Sequence, residues 1–126
     1  MTISVIIPTL NEQHILAKTL THTASLEFDE IIVVDGGSTD STVPIAQAFC
    51  ADVPHAQLIT APRGRARQMN DGVNASRGEV LLFLHADTQL PEDTGRLIES
   101  AFDDPTMVGG RFDVRFGSAS PWSQVI

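Results

Sequence analysis

Glu30-Ile31-Ile32-Val33-Val34-Asp35-Gly36-Gly37-Ser38 is the stretch that decides the fold. A β-branched apolar run too short for a helix reads as a strand buried on both faces, and such strands belong to parallel sheets. Asp35-Gly36-Gly37-Ser38 breaks the run, and Asp40 to Cys50 follows with Ile45, Ala46, Ala48 and Phe49 as a helical apolar set. The same strand-then-helix unit stands upstream. Ser4 to Ile7 is a strand ended by Pro8, and Thr9 to Glu12 has the S/T-x-x-E spacing of a capping box. That box predicts a helix carrying Ile15, Leu16, Leu20 and Ala24 on one face.

Two more units follow. Gln57 to Thr60 is a weaker strand, after which Ala61-Pro62-Arg63-Gly64 leads into a helix over Arg65 to Ala75, with Ala66, Met69 and Val73 at helical spacing. Glu79 to Leu84 is the strongest strand signal, and Pro91 to Phe102 presents Leu97, Ile98, Ala101 and Phe102 as a helical face. Alternation of this kind requires right-handed crossovers and predicts an α/β fold, a mostly parallel sheet flanked by helices on both faces. Phe112, Val114 and Phe116 alternate with Arg111, Asp113 and Arg115, which predicts a last strand pairing antiparallel at a sheet edge; Gly117 to Ile126 carries little pattern.

Composition bounds the function. The 126 residues, 42% hydrophobic, suit one globular domain. At this length roughly two thirds of the unfolded surface is buried on folding, so no staple is required. The single cysteine, Cys50, excludes an internal disulfide, and no Cys/His set has zinc spacing. A formal charge of −8 argues against non-specific nucleic-acid binding. The apolar runs Val80 to Leu84 and Ile31 to Val34 fall far short of the ~20 residues that span a bilayer. No basic region precedes Ile3 to Ile7, so a signal peptide is not expected and a cytoplasmic location is.

In open parallel sheets ligands bind beyond the carboxyl ends of the strands. This rule selects Pro8 to Glu12, Asp35 to Asp40, Pro62 to Arg67 and His85 to Thr88. Asp35 and Glu12 are placed to accept hydrogen bonds from a ligand; alternatively Asp35 and Asp40 shape the turn and cap the next helix. Arg63, Arg65, Arg67 and Arg77 are half of the 8 basic residues and suggest an anion site, or else a solvated face with Arg63 and Arg77 in salt bridges. Asp87, beside Thr88, can reach a hard divalent cation that takes its other ligands from phosphate and water, or it caps the following helix. His85 is either a neighbour of that ligand or a polar strand end, and His14, His22 and Cys50 read as packing or surface residues.

Ser4-Val5-Ile6-Ile7-Pro8-Thr9-Leu10-Asn11-Glu12, Ile32 to Asp40, and Gly78 to Thr88 with His85-Ala86-Asp87 resemble, in that order, three motifs of the family-2 glycosyltransferases. The run Arg63 to Asn70 is similar to that of a bacterial subgroup of the family, and the resemblance covers about residues 2 to 116. It implies a GT-A, Rossmann-like fold binding a nucleoside-diphosphate sugar of UDP or GDP type. It further implies that Pro8, Thr9, Asn11 and Glu12 line the nucleoside pocket, that Asp35 hydrogen-bonds the base, and that Arg65, Arg67 and Asn70 lie near the ribose and diphosphate. Asp87 matches the second acid of the family's D-x-D segment and would hold Mg²⁺ or Mn²⁺, while His85 stands where the first acid belongs. The family's acceptor-side half, with the carboxylate that acts as general base, follows the segment resembling Val108 to Phe112, and only ten residues remain after Phe116. The expectation is a donor-binding portion with its base beyond Ile126, an unidentified acceptor, and self-association through a sheet edge open along Val108 to Phe116. The alternatives are a nucleotide-sugar-binding module without transfer activity and a nucleotidyltransferase-like enzyme. P-loop and dinucleotide readings are weak, because neither G-x-x-x-x-G-K nor G-x-G-x-x-G occurs.

Overall fold

The structure is a computed structural model that describes residues 1–110, 112–115 and 121–124. The elements run β1 (Ile3–Thr9), α1 (Leu16–Ser25), β2 (Glu30–Asp35), α2 (Thr42–Asp52), β3 (Ala56–Thr60), α3 (Arg65–Ala75), β4 (Val80–Phe83), α4 (Thr94–Ala101), β5 (Phe112–Arg115) and β6 (Pro121–Gln124). The first four strands form one sheet in the order β3-β2-β1-β4, and every pairing in it is parallel. Thr9 lies opposite Asp35, so β1 and β2 end level with one another.

That order dictates which helix goes to which face. From β1 through β2 to β3 the chain steps one way along the sheet, and from β3 to β4 it steps back across two strands. With right-handed crossovers, reversing the step moves the connecting helix to the opposite face. The core divides accordingly. Val5, Ile7, Ile31 and Val33 pack with Leu16 and Leu20 of α1, Ala46 of α2 and Ile98 of α4. Ile6, Ile32 and Val34 point the other way and pack with Val73 and Ala75 of α3. The chain reverses at β1, so a crevice opens beyond the carboxyl ends of β1 and its neighbours.

Close approach of α3 to the sheet needs a glycine. A Cβ at Gly72 would stand 2.5 Å from Cγ2 of Ile6 and 3.1 Å from Cγ2 of Val34, inside van der Waals contact with both central strands. Two expectations are corrected. Thr9 to Glu12 is not a capping box: Thr9 stays in β1, where its hydroxyl donates to Asp35, and α1 begins at Leu16 with Ile15 as its N-cap. The last strand does form, but β5 pairs antiparallel with β6, inside the stretch that showed little pattern, and not with the main sheet. β5, in the stretch where self-association is expected, has one edge paired with β6, and Arg111 and Phe116 lie outside the described residues.

Gly72→Ala is expected to lower unfolding stability by about 1–3 kcal/mol, the usual cost of overpacking a tight interface. A urea melt coincident with that of the parent chain would contradict the contact.

Candidate functional site

The loops after β1 and β2 are tied together by side chains of one bonding the backbone of the other. Asn11 N–H donates to Ser38 Oγ at 2.8 Å, and Asn11 Oδ1 accepts from Thr39 N–H at 2.8 Å. Glu12 N–H donates to Thr42 Oγ1 at 2.7 Å, and Ser41 N–H donates to Gln13 Oε1 at 3.0 Å. Asn11 has φ 54, a left-handed conformation that asparagine tolerates better than most residues. Asp40 accepts from the Thr42 N–H at 2.9 Å and from its hydroxyl at 2.5 Å, which shapes the turn into α2; the N-cap of that helix is Ser41, not Asp40.

Asp35 is fully used within the chain. Oδ1 accepts from Thr9 Oγ1 at 2.9 Å and Ser38 Oγ at 2.6 Å, while Oδ2 accepts from Gly37 N–H at 3.0 Å and Ser38 N–H at 2.8 Å. A carboxylate has about four lone-pair sites. All are filled, and the residue is 1% exposed. Asp35 thus shapes the loop after β2 and is not among the residues lining the cavity around Gln68. Burial pushes its carboxyl up, but the hydrogen bonds from Ser38, Thr9 and Gly37 outweigh that and hold it below the ordinary value.

Gln68, which sequence reasoning passed over, is the buried centre of the site. Its Nε2 donates to the carbonyls of Thr9 and Val34, each at 2.9 Å, and its Oε1 accepts from Gly64 N–H at 3.3 Å. The amide orientation follows from its partners, since carbonyls only accept and an N–H only donates. Gly36 makes room for it: a Cβ there would meet Gln68 Oε1 at 2.7 Å. The legible signal was position. Gln68 lies four residues before Gly72, on the sheet-facing stripe of α3, where an apolar residue is expected.

Around Gln68 opens a cavity of about 230 Å³, lined by Pro8, Thr9, Leu10 and Glu12 from the β1 end and by Arg63, Gly64 and Arg65 from the start of α3. His85 joins through a hydrogen bond between its Nδ1 and the Arg65 guanidinium. Burial and then the Arg65 charge lower the His85 pKa, and Asp87 pulls the other way. Burial raises the Glu12 carboxyl, and the charges of Asp87 and Asp40 raise it further. Asn11, Arg67 and Asn70 are exposed and do not line the cavity; Arg77 borders a different hollow, with His55 and Asp29 near the amino-terminal ends of β1 and β2. Among the described residues the one ion pair joins Arg96 to Asp93 at 2.8 Å, so Arg63, Arg65 and Arg67 have no carboxylate partner there.

The loop carrying His85 and Asp87 is anchored from α1. The buried Thr19 hydroxyl donates to the Ala86 carbonyl, and His22 Nε2–H donates to the Leu90 carbonyl at 2.7 Å. Asp87 does not cap α4, whose N-cap is Asp93. Its carboxylate is exposed and accepts from the Thr88 hydroxyl at 3.3 Å. Among the described residues no three His, Cys, Asp or Glu side chains converge as a metal cage. A hard oxygen donor with free lone pairs nevertheless fits Mg²⁺ or Mn²⁺, which take one or two protein ligands and complete their shell with phosphate and water.

The chain belongs to glycosyl transferase family 2, whose model matches residues 4–126. The fold is that of the GT-A glycosyltransferases. Among its relatives, a PGL/p-HBAD biosynthesis glycosyltransferase of Mycobacterium bovis (strain BCG / Pasteur 1173P2) is 40% identical over 93 residues, 71% of this chain and 36% of that protein. An undecaprenyl-phosphate 4-deoxy-4-formamido-L-arabinose transferase of Pseudomonas paraeruginosa (strain DSM 24068 / PA7) is 34% identical over 128 residues, 93% of this chain and 37% of that protein. The solved mannosyltransferase PcManGT from Pyrobaculum calidifontis, in complex with GDP-Man and Mn²⁺, superimposes with a TM-score of 0.75 at 27% identity, covering 82% of this chain and 33% of that one. The chain thus spans little more than a third of the length of these two curated relatives.

Asp35→Asn is expected to cost about 2–4 kcal/mol at pH 7, because the amide puts a donor against two of the four donors that Asp35 now accepts from. A carboxyl held low in the folded state stabilises above its unfolded value, near pH ~3.9, and that contribution disappears as pH falls through the folded value. The acid limb of the stability profile should accordingly be shallower in the variant. Parallel acid limbs would mean that Asp35 is not the group titrating.

Proposed function

We propose that this chain is the donor-binding part of a glycosyltransferase: it binds a nucleoside-diphosphate sugar of UDP or GDP type at the carboxyl ends of β1, β2 and β4, and together with an acceptor-side part it passes the sugar to an acceptor hydroxyl with inversion. The observation that carries the reading is a set of guanidinium groups, Arg63, Arg65 and Arg67, left without carboxylate partners beside the first-motif cavity of an acidic chain. Pro8, Thr9 and Glu12 enclose the nucleoside, with Asn11 setting the loop around them. Arg65, supported by Arg63, Arg67 and Asn70, holds the diphosphate. Asp87 supplies the one protein oxygen for Mg²⁺ or Mn²⁺. PcManGT, solved with GDP-Man and Mn²⁺, supports both the ligand class and the cation.

The cation, when bound, supplies positive charge to the departing diphosphate. This chain's own part is to fix that diphosphate with fixed dipoles and guanidinium groups. Displacement with inversion also needs an acceptor held in line and a carboxylate to take the hydroxyl proton. We assign both to an acceptor-side part, in keeping with the share of the curated relatives that lies outside the match. No helix of the described residues is long and apolar enough to cross a membrane, and a cytoplasmic site of action is part of the proposal.

Calorimetry with UDP and GDP, in EDTA and then in Mn²⁺, tests the reading. Mn²⁺ should tighten one of the two nucleotides by roughly tenfold or more, and Asp87→Ala should abolish that gain without lowering the melting temperature. Equal affinity with and without Mn²⁺ would contradict Asp87 as the cation's ligand. Residues 1–126 should bind donor yet transfer sugar at least ~10²-fold more slowly than a chain extended to its relatives' length, for want of the base.

A further inference from the structure

Arg65 opens α3 and His85 follows β4, yet an Arg65 guanidinium nitrogen is hydrogen-bonded to His85 Nδ1. A guanidinium only donates and keeps its proton in proteins. Nδ1 must therefore be accepting with its lone pair, and the ring proton of the neutral imidazole sits on Nε2. Two consequences follow from chemistry alone. The occupied Nδ1 has no lone pair for a cation. Arg65, meanwhile, is held by a neutral partner, although Glu12 lines the same cavity and Asp87 is two residues from His85. Pairing with either carboxylate would cancel the guanidinium charge; pairing with an imidazole fixes its direction and leaves the full charge to an incoming anion.

We propose that His85 is a positioning residue for Arg65 and not a metal ligand, and that the pair binds the donor's diphosphate in a way that needs no cation. This rests on the nucleotide-sugar reading above and deepens it by assigning the departure at the first acid of the D-x-D segment. The three-methylene arm of Arg65 would otherwise lose side-chain freedom on binding phosphate, and the bond to His85 removes part of that loss in advance.

The test uses three probes on the 126-residue chain: inorganic pyrophosphate in EDTA, UDP and GDP with and without Mn²⁺, and ¹⁵N chemical shifts of the His85 ring. Arg65→Ala should weaken pyrophosphate and nucleotide binding by roughly tenfold, the loss of a charge-assisted hydrogen bond. His85→Ala should weaken both by about threefold or more even in EDTA, and the double variant should bind like Arg65→Ala alone. His85→Asn, whose Oδ1 can take the place of Nδ1 as acceptor, should stay within about twofold of the parent. The ring shifts should report a proton on Nε2 in the parent and a mixed tautomer in Arg65→Ala. An effect of His85→Ala confined to Mn²⁺ would make His85 a metal ligand and overturn the proposal, as would additive single effects. Pyrophosphate bound with this mutational pattern while neither nucleotide binds would remove the nucleotide reading and keep the anion site. Nucleotide bound with no response to His85→Ala would do the reverse. No binding of any probe would remove both.

Discussion

A buried amide joins three pieces of chain that meet at the mouth of the sheet. Gln68 donates to the last carbonyl region of β1 at Thr9 and of β2 at Val34, and accepts from Gly64 at the start of α3. Thr9 and Val34 stand at the adjacent carboxyl ends of two parallel strands; the Thr9 carbonyl already accepts from Gly36 N–H at 3.0 Å, and the amide adds a second bond on its other lone pair. The glutamine cross-links the two strand ends and, through its own helix, fixes where Arg63 and Arg65 emerge relative to Pro8 and Glu12. Gly72 one helical turn later lets α3 lie close enough for the amide to reach, and Gly36 leaves room for it.

Charge is arranged on the same frame. The chain carries 16 acids against 8 bases, and its long-range field opposes an anionic ligand. Screening over ~8 Å at physiological salt weakens that field, whereas a guanidinium ~4 Å from a phosphate contributes on the order of 4 kcal/mol at an effective dielectric of 20. Local cations therefore dominate, provided they are not already paired. Two acids of the neighbouring loops are turned to structural work: Asp35 receives four hydrogen bonds and Asp40 organises the start of α2. Asp87, on a loop anchored by Thr19 and His22, keeps its oxygens available.

Much of the fold was legible because buried parallel strands announce themselves locally: Ile31 to Val34 and Ser4 to Ile7 need no tertiary information to be read as strands, and α3 falls on the predicted Arg65 to Ala75. The same locality misled at Thr9. A hydroxyl at capping-box spacing was drawn across the sheet to Asp35, a partner 26 positions away that no local pattern reveals. β6 escaped notice for a like reason, since Pro121 to Gln124 takes its strand form from pairing with β5. At the site, residue types indicated which chemistry was present, and Pro8, Thr9, Glu12 and Arg65 do meet in one cavity. What the sequence hid was occupancy. Whether Asp35 is free for a ligand or Arg65 has a neutral partner depends on hydrogen bonds between segments brought together only by folding.

A crystal structure of the chain with Mn²⁺ and UDP or GDP tests the central claim most directly. The account predicts the diphosphate against Arg65 with His85 still bonded to the guanidinium, the cation on Asp87 and phosphate oxygens, and the nucleoside between Pro8 and Glu12 with the Gln68 bonds intact. A nucleotide seated instead at the amino-terminal end of the sheet, beside Arg77 and His55, would contradict it.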